Sequence, residues 1–534
     1  MAALLAIAGT TLFSGVVRAQ ADTGIFSDEE AAPSRASRFN ILLPDNSGVA
    51  PSDAPVSGRV YVFLATRKSG KLINGPNWFR PDPFLGLNVA GVQPGDVIEI
   101  GDTADGYPAR LSELPEGEYY AQAILDHNLD SQHHARGAGN HYSQVVHIQL
   151  DHTADAAVDL SLTESVEPAE FPDHPRLEEI VLPSPLLSAF HERPVLHRAT
   201  VVLPASYADQ PERRFPTIYI IPGFGGSYRS AQRYLDDDAR PDERSDPSAP
   251  AADDSNHVAG ESVNVEFIRV VLDAQCEWGH HVFADSATNG PRGQALLEEL
   301  IPHTDATVRT MATPSARFLR GHSSGGWSSL WLMVNFPDSF GGVWSTAPDP
   351  VDFRDYQGVD LYADPPLSLY FDEHGERRPI ARRRGEPVLW YEDFGRMDDV
   401  IARGGQLRSF EAVFSPLGDD GLPLQLWDRI DGRIDPTVAS AWRDYDIRLV
   451  IQRNWDQLAE KLAGKIHIIT GSLDTFYLNG AVERLAESLS ELGSDAQIEI
   501  VDGADHGSVL RSEPAQRIRA EMVECLLKTH PAGR

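Results

Sequence analysis

Residues 317–326, Arg-Phe-Leu-Arg-Gly-His-Ser-Ser-Gly-Gly, allow this chain few backbone paths: an apolar run meets a Gly-x-Ser-x-Gly pentapeptide and passes into a helical pattern. Gly321 and Gly325 carry no side chain to hold neighbouring elements apart, so a strand can turn sharply into a helix and leave Ser323 projecting above a sheet. Downstream, Trp327, Leu330, Trp331 and Val334 recur at helical spacing, and Pro337 marks where that helix has ended. Strand, tight turn, helix is the order a nucleophilic serine needs. Only Ser323 has glycine on both sides, since His322 stands two positions before Ser324. The competing reading is a plain Gly/Ser surface turn.

The surrounding pattern supports the nucleophile. Val201 to Leu203, Ile218 to Ile221, Phe267 to Leu272 and Phe318 to Leu319 are apolar runs with little alternation, as parallel strands buried on both faces are. A helical pattern from Gly293 through Arg309 leads into the strand before Ser323. After Asp349 regularity fades until about Arg453, which suggests an insertion near 350–453, either a lid over the substrate pocket or a surface excursion. A strand at Lys465 to Thr470, a helix at Ala481 to Leu492, a strand at Gln497 to Val501 and a last helix with Ile518, Met522 and Leu526 on one face follow. This is α/β architecture, with Ser323 at the carboxyl end of a strand, where open α/β sheets place their ligands.

A serine hydroxyl needs a base to take its proton, and the base needs a partner to fix its tautomer. In α/β-hydrolases the chain order is serine, acid, histidine, the last two just after strands. Asp474 and His506 meet that order, with room for one helix and one strand between them. His280, His281 and His322 lack the setting. Asp349 is the rival acid, because it follows the strand-like run Gly342 to Ser345, whereas Asp502 and Asp505 read as shaping the turn that carries His506. The oxyanion of an acyl-transfer intermediate needs backbone donors. The Ser324 amide is one, and the loop Pro222-Gly223-Phe224-Gly225-Gly226 offers the other, for which Phe224 is chosen over Gly225; a plain Gly-rich turn is the alternative there.

Acidic residues outnumber basic ones, 79 to 46, for a net charge of −33. Such a surface repels phosphate backbones and anionic membranes, so a nucleic-acid partner is not expected. At 534 residues the chain exceeds one core and calls for two domains or more. From about Arg38 to Leu162, short alternating runs punctuated by Gly, Pro and Asn read as a β-sandwich. A Pro- and acid-rich linker at about 166–185 follows, then the catalytic domain to the carboxyl end. Asp126, Asn128 and Asp130 alternate as calcium ligands do, with His133, His134 and His141 nearby. However, Ser131 and Gly137 occupy the positions where a calcium loop needs Gly and Glu, so a polar loop is the better reading and no metal is expected. The apolar run Leu4 to Val17, followed by Val-Arg-Ala before Gln20, reads as a signal peptide over 1–19 without the usual basic start. It implies a secreted or periplasmic protein, and no other stretch is long and apolar enough to span a bilayer. Cys276 and Cys525 read as two buried thiols, with pairing left open.

The segments Ile220 to Ser227, Ala284 to Gly290, Glu299 to Pro302 and Gly321 to Gly326 together resemble the esterase family that includes esterase D and enterochelin esterase, within the α/β-hydrolases. The resemblance covers roughly Arg198 to Lys528. It implies a Ser-Asp-His hydrolase on Ser323, Asp474 and His506 with no cofactor. The substrate it implies is an ester, small or carbohydrate-linked, since such families include carboxylesterases, acetyl xylan, feruloyl and siderophore esterases and mycolyl transferases. Two features depart from the family pattern: Pro222 before the loop glycine, and the long separation of Ser323 from Asp474. The expectation is an exported serine esterase of α/β-hydrolase fold with an N-terminal all-β domain, working through an acyl-enzyme. A serine peptidase with the same triad, or a non-catalytic carbohydrate- or ligand-binding protein on a hydrolase scaffold, are the alternatives; oligomeric state is not legible.

Overall fold

The computed structural model describes residues 33–44, 55–68, 70–235 and 265–531, so the signal-peptide reading at 1–19 lies outside the described residues. Two compact units are present. Among the described residues, one comprises those up to Asn128 together with Gly137–Glu167, and the other comprises Leu129–Arg136 and those from Pro168 on.

In the first unit, alternating sequence produces antiparallel pairing. The strands Val146–Leu150, Gly117–Asp126, Val56–Ala65 and Phe84–Val92 lie side by side, with Ser34–Ala36 and Asp105–Tyr107 at the ends. Ala157–Ser161, Arg38–Leu42 and Val97–Ile100 form a second sheet. Phe39, Ile41, Leu160 and Ile100 from one sheet share an apolar cluster with Val60, Val62, Leu85, Ala123 and Ile148 from the other. Burying one face of each sheet in this way is what the alternation demands. The strand Phe84–Val92 escapes a reading by periodicity because Gly86 and Gly91 interrupt its alternation.

The second unit is built on one sheet of eight strands: β1 Leu177–Pro183, β2 Leu196–Val202, β3 Thr217–Ile221, β4 Ile268–Leu272, β5 Arg317–His322, β6 Gly342–Thr346, β7 Ile466–Gly471 and β8 Gln497–Val501. They lie in the order β1-β2-β4-β3-β5-β6-β7-β8, antiparallel from β1 through β4 and parallel thereafter. The central strands β3, β4, β5 and β6 are nearly all buried, which explains their unbroken apolar runs. On one face Ile220, Val271, Phe318 and Trp344 join Ile518, Met522 and Leu526 of the last helix, Glu513–Thr529. This is the α/β-hydrolase fold, whereas the first unit is mostly strands.

One expectation is corrected and two gain detail. The stretch 166–185 is not linker throughout, since Leu177–Pro183 is an edge strand paired along its length with β2. Its charged residues mask the strand, but Leu177 and Ile180 are buried while Glu178 and Val181 face out, a half-covered pattern that an edge permits. Between β6 and β7, residues 350–453 hold a hairpin, Pro379–Arg383 with Glu386–Trp390, and the helices Tyr391–Ile401, Gln406–Phe414, Pro436–Trp442 and Ile447–Arg453. These elements are short and broken by Pro and Gly, so they leave little period in the sequence. The helix read over 293–309 contains a widened π turn at Leu296–Leu300, just before Pro302. Proline has no N–H for the regular ladder, and the wide turn accommodates that gap. Cys276 is buried and Cys525 only partly so, and both are free.

Candidate active site

The elbow is held by backbone contact. A Cβ on Gly321 would lie 1.9 Å from the Gly325 carbonyl oxygen, and one on Gly325 would lie 2.0 Å from that of Ile221. No side chain fits either position, which is the physical content of the Gly-x-Ser-x-Gly pattern. Ser323 itself adopts φ 60°, ψ −127°, a strained conformation for a residue with a side chain. Its amide donates to the Thr346 carbonyl at 3.0 Å, and the helix Ser324–Asn335 begins at once.

The structure brings Asp474 and His506 together. Asp474 follows β7 and His506 follows β8, and the His506 Nδ1–H donates to Asp474 Oδ2 at 2.7 Å, leaving Nε2 to take a proton. Asp474 is fully buried, and its Oδ1 accepts the Phe476 amide at 2.8 Å. Burial pushes the His506 imidazole down, but the charge and hydrogen bond of Asp474, with a contribution from Asp349, outweigh it and leave the group raised. The His506 ring lies 4.5 Å from that of His322, the residue before Ser323, and 5.1 Å edge-on from Phe476. Burial and the nearby His506 hold His322 well below the ordinary histidine range, so it stays neutral.

Ser323 Oγ makes no hydrogen bond to His506. It donates instead to Asp349 Oδ1 at 3.4 Å, a long contact. Asp349 is 3% exposed, and its Oδ2 has no hydrogen-bond partner. Burial pushes its carboxyl up to about 6, against the lowering effects of the Ser324 hydroxyl, His506 and Ser323. The Ser324 hydroxyl is near enough to favour the charge but not in hydrogen-bond geometry, for its Oγ is unpartnered too. Ser323 and Asp349 line one pocket whose other sides are mostly apolar, among them Ile380, Leu389, Phe394, Phe410 and Phe476. Four of those five come from 350–453, the segment that reads as irregular in sequence.

The loop after β3 is braced from three directions. The Gly225 amide donates to Gln132 Oε1 at 3.2 Å, Gln275 Nε2 donates to the Gly226 carbonyl at 2.9 Å, and His280 Nε2 donates to the Pro222 carbonyl at 2.8 Å. Burial lowers His280 to about 4, which suits a neutral structural histidine. Gln132 and Gln275 carry no motif and lie far apart in sequence, so nothing in the chain announces them. The same is true of Arg382, whose Nε donates to the Asp474 carbonyl at 2.8 Å and whose Nη2 donates to the Ser472 carbonyl at 3.1 Å. Asp130 pairs with Arg193 at 3.1 Å and Arg198 at 2.9 Å, so this member of the calcium-like triplet is engaged by arginines.

Fold and site together define an α/β-hydrolase. The chain belongs to the esterase family described as "Putative esterase", which matches residues 197–507, and it is therefore a hydrolase with esterase activity acting on small-molecule esters. Among solved structures it is similar to an S-formylglutathione hydrolase from Agrobacterium tumefaciens, at 14% identity and a TM-score of 0.39 over 66% of this chain and 95% of that one. A ferulic acid esterase aligns at 12% identity and a TM-score of 0.37, over 66% of this chain and 97% of the other. An S-formylglutathione hydrolase from Staphylococcus aureus aligns at 12% identity and a TM-score of 0.35, over 66% and 100% respectively. No curated protein matches the chain. No helix among the described residues is long and apolar enough to cross a membrane.

Proposed function

We propose that the chain is an exported serine esterase that works through an acyl-enzyme. His506 takes the proton of Ser323 at Nε2 as the serine oxygen attacks the ester carbonyl, and Asp474 holds the imidazole in the required tautomer and stabilises its charge. The Ser324 amide is one donor to the oxyanion. We assign the other to Phe224, because the Gly225 amide is already committed to Gln132. The protonated His506 then gives its proton to the leaving alcohol, and water activated by the same imidazole releases the acid and regenerates Ser323. The observation that carries the reading is the 2.7 Å bond between His506 and Asp474 on the loops that follow β8 and β7. It favours Asp474 over Asp349 as the acid. On this reading the strand-built first unit is an accessory domain, the catalytic unit is the one that takes in Leu129–Arg136 and the described residues from Pro168 on, and 350–453 forms a wall of the substrate pocket.

The test is hydrolysis of p-nitrophenyl acyl esters by the purified chain. Ser323→Ala and His506→Ala each lower kcat by about a thousandfold or more, and Asp474→Asn does so by somewhat less. Full activity in Ser323→Ala would remove the nucleophile. Cleavage of peptides with no ester turnover would favour a peptidase.

A further inference from the structure

We propose that Asp349 is a specificity-determining residue that selects acyl groups bearing a protonated amine on the carbon next to the scissile carbonyl, that is, α-aminoacyl esters. The inference rests on Ser323 as nucleophile and goes beyond it. It starts from an oddity: a carboxylate 3.4 Å from the reacting oxygen, in the same pocket, that is not the partner of the catalytic histidine.

Distance decides what Asp349 can touch. In the tetrahedral intermediate the carbonyl carbon lies one bond from Ser323 Oγ and the α-carbon two, each bond being about 1.5 Å long. A substituent on the α-carbon is a third bond on, which at tetrahedral angles puts it about 3–4 Å from Oγ according to the torsion, and the gauche placement toward Asp349 brings it within hydrogen-bond reach of an atom placed as Oδ1 is. The other two groups on the carbonyl carbon are excluded. The oxyanion needs donors and would be repelled by a carboxylate, and the leaving oxygen must face His506 to receive its proton. The acyl side remains.

Charge decides what kind of substituent is chosen. Oδ2 is buried without a partner, and among the described residues no arginine or lysine pairs with Asp349. A buried carboxylate in that state is costly until a cation or several donors reach it. An ammonium supplies both the charge and the hydrogen bonds and is the stronger match. Gln357 and Gln406 are the remaining polar residues lining the pocket and are neutral, so they neither substitute for the cation nor repel it. The net charge of −33 further favours the approach of a cationic ester over an anionic one.

The experiment compares the p-nitrophenyl esters of alanine and of propionic acid, which differ by one ammonium group, at pH 7.5, with spontaneous hydrolysis subtracted using Ser323→Ala. The wild-type kcat/KM for the alanyl ester exceeds that for the propionyl ester by at least about tenfold, and Asp349→Asn brings the ratio down by a similar factor. A wild-type ratio of one or less overturns the proposal without any variant, and so does a ratio that Asp349→Asn leaves unaltered. In both cases Ser323-dependent turnover of the propionyl ester would leave the esterase reading standing. Failure of wild type to exceed Ser323→Ala on either ester would remove that reading and this inference with it.

Discussion

At the residue scale, Asp349 should reveal itself in stability as well as in selectivity. An unfolded chain holds an aspartate near 3.9, whereas burial raises this one to about 6. Because the folded state binds the proton more tightly, the stability this group contributes is present below about pH 3.9 and is lost as pH rises through about 6. Above that, keeping the carboxylate charged and buried costs on the order of 3 kcal/mol against folding. Asparagine keeps the shape and removes the charge. Asp349→Asn therefore melts several degrees above wild type at pH 8, and the gap narrows toward pH 4. An equal gap at both pH values, or a lower melting temperature at pH 8, would count against a buried unpaired charge. A protein that keeps such a charge beside Ser323 gives up stability where we propose function is sited.

At the element scale, the parts legible in sequence are those with period and punctuation. β3, β5 and the helix after Ser323 show themselves because both faces of the central strands are buried and Gly321 and Gly325 admit no side chain. Asp474 and His506 show themselves because a fixed chain order links them to strands β7 and β8. The hairpin Pro379–Arg383 with Glu386–Trp390 does not, although it reaches the site. Its Arg382 fastens two carbonyls of the loop that carries Asp474, and it lies over the Tyr477 ring at 4.5 Å. Hydrogen bonds to a charged donor are worth about 1.5–3 kcal/mol each, and solvent at this half-buried guanidinium reduces that. Arg382→Ala should thus lower kcat by about ten- to a hundredfold with little change in KM, through a loosened Asp474. It should also move the acid limb of the kcat/KM profile downward, since Asp474 is what raises His506. Arg384→Ala, at an exposed neighbour, should change neither. An equal loss in both variants would point to a damaged hairpin.

At the scale of the whole molecule, the division of the chain into an all-β part and an α/β part follows from where alternation gives way to continuous apolar runs, but composition misplaces part of the boundary. Leu129–Arg136 lies in sequence among the strands of the first unit, yet it belongs to the second. Its bonds run to Arg193, Arg198 and Gly225, partners whose distance along the chain leaves no local pattern to read. A cut at the apparent domain boundary would therefore remove parts of the catalytic unit. A chain beginning at Pro168 loses Asp130, which satisfies two arginines, and Gln132, which braces the loop after β3, the one to which we assign an oxyanion donor. Each lost charged hydrogen bond costs on the order of 1 kcal/mol at this partial exposure, enough to lower the melting temperature by several degrees. Activity should fall at least about tenfold, because the loop carrying Phe224 must be held in place to count toward the transition state. Full-length chains carrying Asp130→Ala or Gln132→Ala divide that loss. The first should reproduce the fall in melting temperature with modest change in kcat, and the second the fall in kcat with little change in melting temperature. If the truncated chain keeps wild-type kcat, the oxyanion loop stands without Gln132, and the contact at Gly225 has no part in catalysis.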